Sequence, residues 1–546
     1  MAIPTQRRPH RPNSLIAACG VVIALVLTGC STTGSDTSGS VERRDGGTLV
    51  VYAAPTPAFD PRQYHGWINR AVSDSLIDRD PDTGEFVPWL AESWEQNAAG
   101  TEFTFRLRAG ATFSDGVPVD AAAVKANFDG AIADLAAGGG WYIRGLFDHY
   151  VETEVRDPYT AVVKFAQPNP PFLTTAATSQ LALLSPNTFG TELTKRRTQF
   201  VASGPYVIDK YVPDESLVLK RREDYAWGSS LARHQGRASI DTIDVRFVAE
   251  QGVREGALAG GQADLAETPT VQGAAALEGA GNRLYWRAQV GLPYYLEANF
   301  TVPLVRDIAV RRALLKAIDR EEISESVTGD TAPPAQSVIT HTLTGHADLS
   351  STLGHDPAAA RKILDDAGWT AGSDGIRRKG GQRLELLVAG KADDATTQDT
   401  LVLIKEQVKD VGIEITLKFV DSTGPKWWET GADFLFQGNK SPDADILRKI
   451  YQNAGKQAQP WLYTDSAEIS SHGQRLEEVL QRQSVEVDLD SRNALLAEAQ
   501  RILIEDAICI PLVENESGFA AAAPHLHGLR LDSLSNLVVY DSWLTD

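Results

Sequence analysis

The chain has 546 residues, a formal net charge of −20 and three cysteines. That length exceeds what one hydrophobic core organises and predicts two or three lobes. The acidic balance excludes nucleic acid as a partner, because binding it calls for a basic face, and it excludes anchoring to anionic lipid by charge alone.

Arg7, Arg8 and Arg11 open the chain, and the uncharged apolar stretch Leu15–Leu27 follows. It falls short of the ~20 residues that cross a bilayer, and a basic start before a short apolar run reads as a secretory signal. The run ends in Leu27-Thr28-Gly29-Cys30, which resembles the bacterial lipobox. That predicts a leader over 1–29 and a diacylglycerated Cys30 as the mature amino terminus, with more than one acyl chain holding it stably to the membrane. Removing the three leader arginines from −20 leaves a mature charge of −23. Residues 30–45, rich in Ser, Thr and Gly, are expected to be a flexible tether.

Beyond the tether, strands and helices alternate. Thr48–Ala53 follows Gly46-Gly47 as a first strand. Ser75–Asp78 and Glu85–Val87 flank Pro81-Asp82-Thr83-Gly84 as a hairpin. Phe103, Phe105 and Leu107 alternate with polar residues as a half-buried strand. Asp120 caps a helix through Ala121, Val124 and Phe128. Strands are expected at Val151–Val155, Ala161–Phe165, Tyr206–Ile208, Leu217–Leu219 and Ile240–Val248, with a helix near Val253–Leu258. Asp307 caps a helix whose Val310, Ala313, Leu314, Ala317 and Ile318 share one face. Asp356-Pro357 opens another that ends at Gly368, and Leu401, Ile404, Val408 and Val411 line a third, stopped by Gly412. Ile413–Phe419 alternates as a strand. Helices near Leu476–Val485 and Ser491–Asp506 lead to a last apolar strand at Ala507–Leu512. The alternation gives an α/β (mixed α+β) class.

Several motifs resolve to structural readings. Asp78, Asp80 and Asp82 are spaced like a calcium loop, but Thr83 and Trp89 stand where Gly and Glu are needed. His525-Leu526-His527, His341, His346 and His355 lack metal-site spacing and read as solvated loops. No Gly-x-Ser-x-Gly, His-Glu-x-x-His or phosphate loop occurs, so no catalytic residue, metal or cofactor is expected. A carboxylate pair for glycoside hydrolysis has no segment in its favour. Cys509 sits in an apolar run and reads as inert core. The pairs Trp427-Trp428 and Tyr294-Tyr295 lie beside Pro, Gly or strand ends, where clefts form.

An ordered set of patterns then becomes recognisable. Gly47-Thr48-Leu49 and Phe59-Asp60-Pro61 are followed by Thr83-Gly84-Glu85-Phe86-Val87-Pro88-Trp89-Leu90-Ala91-Glu92-Ser93-Trp94. Phe113-Ser114-Asp115-Gly116-Val117-Pro118-Val119 and Ser203-Gly204-Pro205-Tyr206 come next. Then follow the helix through Arg311-Arg312-Ala313-Leu314 and Ala317-Ile318-Asp319-Arg320, the segment Asp356–Trp369, Val411-Gly412-Ile413 and Ile510-Pro511-Leu512. Together they resemble family 5 of the bacterial extracellular solute-binding proteins, binders of dipeptides, oligopeptides and nickel for ABC importers.

The resemblance implies a two-lobed periplasmic-binding-protein-like fold with an extra α/β domain and a hinge cleft. Lobe I is expected at 46–88, 202–285 and 509–546, the extra domain at 89–201 and lobe II at 286–508. The implied partners are a small-molecule ligand and ABC permease subunits, for a monomer held by its lipid on the extracytoplasmic side of the membrane. Peptide-binding relatives hold the ligand's amino group with an Asp just after a Trp. Here the stretch reads Phe434-Leu435-Phe436-Gln437-Gly438-Asn439-Lys440-Ser441-Pro442-Asp443, without that Trp and Asp. Candidate ligand contacts are Trp427, Trp428, Tyr294, Tyr295, Asn299, Asn439 and Asp443. Asp443 equally suits a cap for the helix through Ile446, Leu447 and Ile450, and Lys440, a single lysine, is expected to be solvated. A lipid-anchored hydrolase, a metal-chelate binder and a surface protein with a filled cleft are the competing readings.

Overall fold

The computed structural model describes residues 43–56, 58–64, 66–139, 143, 145–328, 332–392, 394–420, 430–452, 473–514 and 516–545. Three principal sheets organise them. The first has seven strands among the described residues, in the order Arg283–Ala288, Glu516–Ala522, Leu265–Glu267, Thr48–Ala53, Thr242–Phe247, Ser216–Arg221 and Tyr206–Val212. Thr48–Ala53 lies parallel to both Thr242–Phe247 and Leu265–Glu267, with Val51 opposite Val245 on one side and Leu265 on the other. Leu49 and Val51 are wholly buried on one face, and Tyr52 is buried on the other.

The second sheet runs Glu414–Val420, Glu385–Lys391, Phe434–Lys440, Gly291–Ala298 and Cys509–Pro511. Its first three strands are parallel, Gly291–Ala298 runs against them, and Cys509–Pro511, antiparallel to Gly291–Ala298, runs with the first three. The last apolar strand therefore belongs to this sheet, not with the closing segment that begins the expected lobe I piece at 509. Tyr295, Leu296 and Glu297 pair with Pro511, Ile510 and Cys509, and the return to the first sheet comes after Pro511. Cys509 is buried, and burial drives its thiol pKa far up.

The third sheet is an antiparallel four-stranded unit ordered Ala91–Gln96, Glu102–Leu107, Thr160–Phe165 and Tyr150–Asp157. Phe103, Phe105 and Leu107 point inward on alternate positions. The ring of Phe172 lies 4.6 Å from that of Phe103 and 5.1 Å from that of Phe165, and each such pair adds about 0.5–1.5 kcal/mol beyond area burial.

Local chemistry explains the element ends. Asp120 accepts from the Ala123 amide at 2.8 Å and Asp356 from that of Ala359 at 2.8 Å, each an N-cap. The helix Ile308–Ala317 stops one residue short of Ile318, which is extended yet fully buried. Gly412, with φ +87°, ends the turn after Ala395–Lys409 in a conformation other residues resist. In the hairpin between Ile77–Arg79 and Phe86–Pro88, Asp80 accepts from the Asp82 and Thr83 amides, which commits its carboxylate to the turn. The His525–His527 segment is not a solvated loop. Leu526–His527 pairs with Trp543–Leu544, His525 meets Asp264 at 2.8 Å, and His527 stacks on Trp543.

The apolar interior falls into two large clusters. One joins the first and third sheets, from Leu49 through Phe103 and Val124 to Leu544. The other belongs to the second sheet and runs from Leu292 to Val513. The chain crosses between them around 288–292 and again around 513–520, so two separately packed bodies are joined by a pair of crossings.

Candidate functional site

In open α/β sheets, the crevice outside the carboxyl ends of parallel strands is where ligands bind. Here the parallel strands of the first sheet end at Ala53, Phe247 and Glu267, and those of the second at Lys391, Val420 and Lys440. Glu267, at one of these ends, and Asp532 of the first body lie within electrostatic reach of Lys440, at an end in the second.

Lys440 closes the strand Phe434–Lys440 opposite Gly291, the first residue of its antiparallel neighbour. The approach is tight. The Ser441 amide donates to Val290 O at 2.9 Å, and a methyl group on Gly291 would stand 2.1 Å from Asn439 O and 2.7 Å from the Ser441 nitrogen. Gly291 also carries φ +140°, so glycine is required twice over where the chain enters the second body.

The charged groups here differ in their partners. Asp532 accepts from the Leu534 and Asn536 amides at 2.9 and 2.8 Å and lies 3.7 Å from the Arg70 guanidinium. Glu267 accepts from the Ala54 amide at 3.3 Å. Burial raises its pKa above the usual carboxylate value, against the opposing pull of Arg254. Burial depresses the pKa of Lys440, which is half-buried and not the solvated side chain expected, while Asp532 and Glu267 counteract the effect. Among the described residues, no acceptor lies within hydrogen-bond or ion-pair range of its ammonium.

Asp443 has the opposite setting. Arg492 grips it with both terminal nitrogens, Nη1 at 3.0 Å, and the Asp445 amide donates to it at 2.8 Å. Burial alone would raise its pKa, but Arg492 holds it below the ordinary value. The grip continues as a network. Asp445 accepts from Arg448 Nε at 2.8 Å and from Gln483 at 2.7 Å, and Arg448 reaches Asp148, beside the third sheet, at 2.7 Å. Asp443 thus orders the approach to the helix Ile446–Tyr451, although its side chain caps no amide of that helix. Arg79, on the hairpin of the first body, is influenced by Asp443 across the junction.

The remaining candidates divide. Tyr295 is fully buried and its hydroxyl accepts from Asn439 at 2.8 Å, so the structure brings these two together. Tyr294 is half-buried with its ring 5.1 Å from that of Phe436. Asn299 is buried and ties Ala432 O, at 2.7 Å, to the Thr301 hydroxyl, at 2.6 Å, which fixes the turn leading into the strand Phe434–Lys440. Trp427, Trp428 and Cys30 lie outside the described residues. Sequence reasoning missed Glu267, Asp532, Arg79 and Arg492. Glu267 carried one signal, a charge at the end of the short apolar run Leu265-Ala266. The others are assembled only by tertiary contacts.

Comparison with known proteins accords with this geometry. Residues 85–464 match the model of bacterial extracellular solute-binding proteins, family 5 Middle. The glutathione-binding protein GsiB of Shigella dysenteriae serotype 1 is 25% identical over 521 residues, 93% of this chain and 94% of the relative. Among solved structures, NikA from Brucella suis in complex with Fe(III)-EDTA superposes with a TM-score of 0.76 at 22% identity, covering 92% of this chain and 100% of that one. The oligopeptide-binding protein AppA from Bacillus subtilis, in complex with a nonapeptide, gives 0.77 at 18% identity with the same coverage. The chain belongs to family 5 of the bacterial extracellular solute-binding proteins, the solute-capturing components of ABC importers.

Proposed function

We propose that this chain captures a peptide or peptide-like solute between the carboxyl ends of its two parallel sheets and delivers it to a membrane permease, without chemical turnover. The observation that carries the reading is the junction itself. Two bodies with separate cores are joined by two crossings, and a parallel strand of each ends at Glu267 and at Lys440, within electrostatic reach of one another. Such an arrangement closes on a solute by rotation about the crossings. The ligands named for the relatives, glutathione and a nonapeptide, support a peptide-like solute, and Fe(III)-EDTA extends the range to chelates. In this reading Tyr294, Asn439 and at least one of Trp427 and Trp428 contact the solute, Tyr295 supports Asn439, and Asn299 and Asp443 hold the frame. The protein acts as a monomer, leashed through acylated Cys30.

The test is to denature protein purified from its native membrane and identify any released solute by mass spectrometry, then return that solute to emptied protein. A saturable rise in Tm with the solute recovered intact supports the reading, whereas conversion of the solute contradicts it. Cys30→Ala should move the protein out of the membrane fraction. Unchanged fractionation rejects the anchor.

A further inference from the structure

The interlobe junction is charged, but its charges are unequally committed. Every acid there has a partner. Asp443 is held by Arg492, Asp445 by Arg448 and Gln483, and Asp532 by two backbone amides and Arg70. Glu267 takes the Ala54 amide. The lysines differ: Lys449, in the helix Ile446–Tyr451, lies in the field of Asp445, Asp443 and Asp148 without a bonded acceptor among the described residues, and Lys440 is the one at a strand end. It is half-buried at the carboxyl end of a parallel strand, with no hydrogen bond or ion pair to its ammonium among the described residues. Its strand neighbours each have a bonded partner, Asn439 the Tyr295 hydroxyl and Gln437 the carboxylate of Glu297. Gly438, two positions back and so on the same face as Lys440, is exposed and leaves that face open.

A half-buried ammonium without a bonded partner is only partly hydrated, and an anion brought by a ligand offsets that loss. The near acids are poor substitutes, since each is bonded elsewhere and neither reaches Lys440. No carboxylate at the junction stands equally free to receive an ammonium. We propose, building on the capture of a solute at this junction, that Lys440 is the anchor for a free carboxylate of the ligand, so that the cleft selects acidic solutes over their neutral counterparts.

Calorimetry on the full-length protein tests this with matched probes: glutathione against its diethyl ester, and N-acetyl-trialanine against its C-terminal amide. The expected result is that an acid binds, its neutral partner binds about tenfold more weakly or worse, and the Lys440→Gln variant, folded by circular dichroism, loses that discrimination while Lys440→Arg keeps it. A neutral partner that binds wild type as tightly as its acid overturns the proposal. So does a discrimination ratio that survives Lys440→Gln. If neither acid binds, the solute released from the native protein takes their place, and a released solute without an acidic group also overturns it. Wild-type protein that releases nothing and binds none of the four probes contradicts the reading of the junction as a solute site, and with it this proposal.

Discussion

Asp443 and Lys440 stand three positions apart where one strand leaves the second sheet, yet their surroundings are opposite. Asp443 is matched by the two-pronged Arg492 and a backbone amide, within a network reaching to Asp148. Lys440 has comparable shelter and no bonded counter-charge among the described residues. A buried charge with all its bonds made is part of the frame, whereas a sheltered charge left without them is a position reserved for something else. The difference separates support from recognition within one short stretch, which residue type alone does not.

The largest way to break the comparison is on the Asp443 side. Arg492→Met leaves a sheltered carboxylate without its partner and should lower the unfolding free energy by about 3 kcal/mol, read by urea denaturation. A loss no greater than that of an exposed ion pair would mean Asp443 is not framework. Next comes the crossing that holds Lys440 in place. Gly291→Ala puts a methyl group against Asn439 O and forces a backbone angle that alanine resists, so a cost of about 2 kcal/mol is expected, together with weaker solute binding. Full stability and affinity would show that the two crossing strands are free to separate.

Acid and base sharpen the contrast. Asp443 has a folded pKa below its ordinary 3.8. Its contribution is therefore present above that value and lost as pH falls through the folded pKa, and the gap between wild type and Arg492→Met should narrow in acid. Lys440 has a folded pKa below its ordinary 10.5. The unfolded chain holds the proton more tightly, so wild type should gain stability on Lys440→Gln as pH rises from neutral toward that value. Parallel pH profiles for wild type and both variants would erase the distinction. The smallest effect is the one expected at neutral pH, where Lys440→Gln should change stability by about 0.5 kcal/mol or less, or raise it slightly. A loss like that of Arg492→Met would make Lys440 a structural residue.

Much of the fold was legible in the sequence because its signals are local. The caps at Asp120 and Asp356, the Asp80–Gly84 turn and the alternation of Phe103, Phe105 and Leu107 each act within a few residues. Sheet membership was less so. Cys509–Pro511 is as apolar as a first-sheet strand, and only its pairing with Tyr295–Glu297 assigns it to the second. The candidate site was legible as a stretch but not as an environment. Gln437 to Asp443 could be singled out, but the groups that distinguish Lys440 from Asp443 come from positions 267, 492 and 532, far along the chain. Burial by distant segments also overrode the expectation that a single lysine is solvated.

Lysine-selective labelling, read by peptide mass spectrometry with and without saturating solute, tests most directly whether the solute is held at this junction. The account predicts that bound solute strongly protects Lys440, while the exposed Lys125 and Lys362, each in a helical ion pair far from the junction in sequence, label at unchanged rates. Equal labelling of Lys440 in the empty and saturated protein would contradict it.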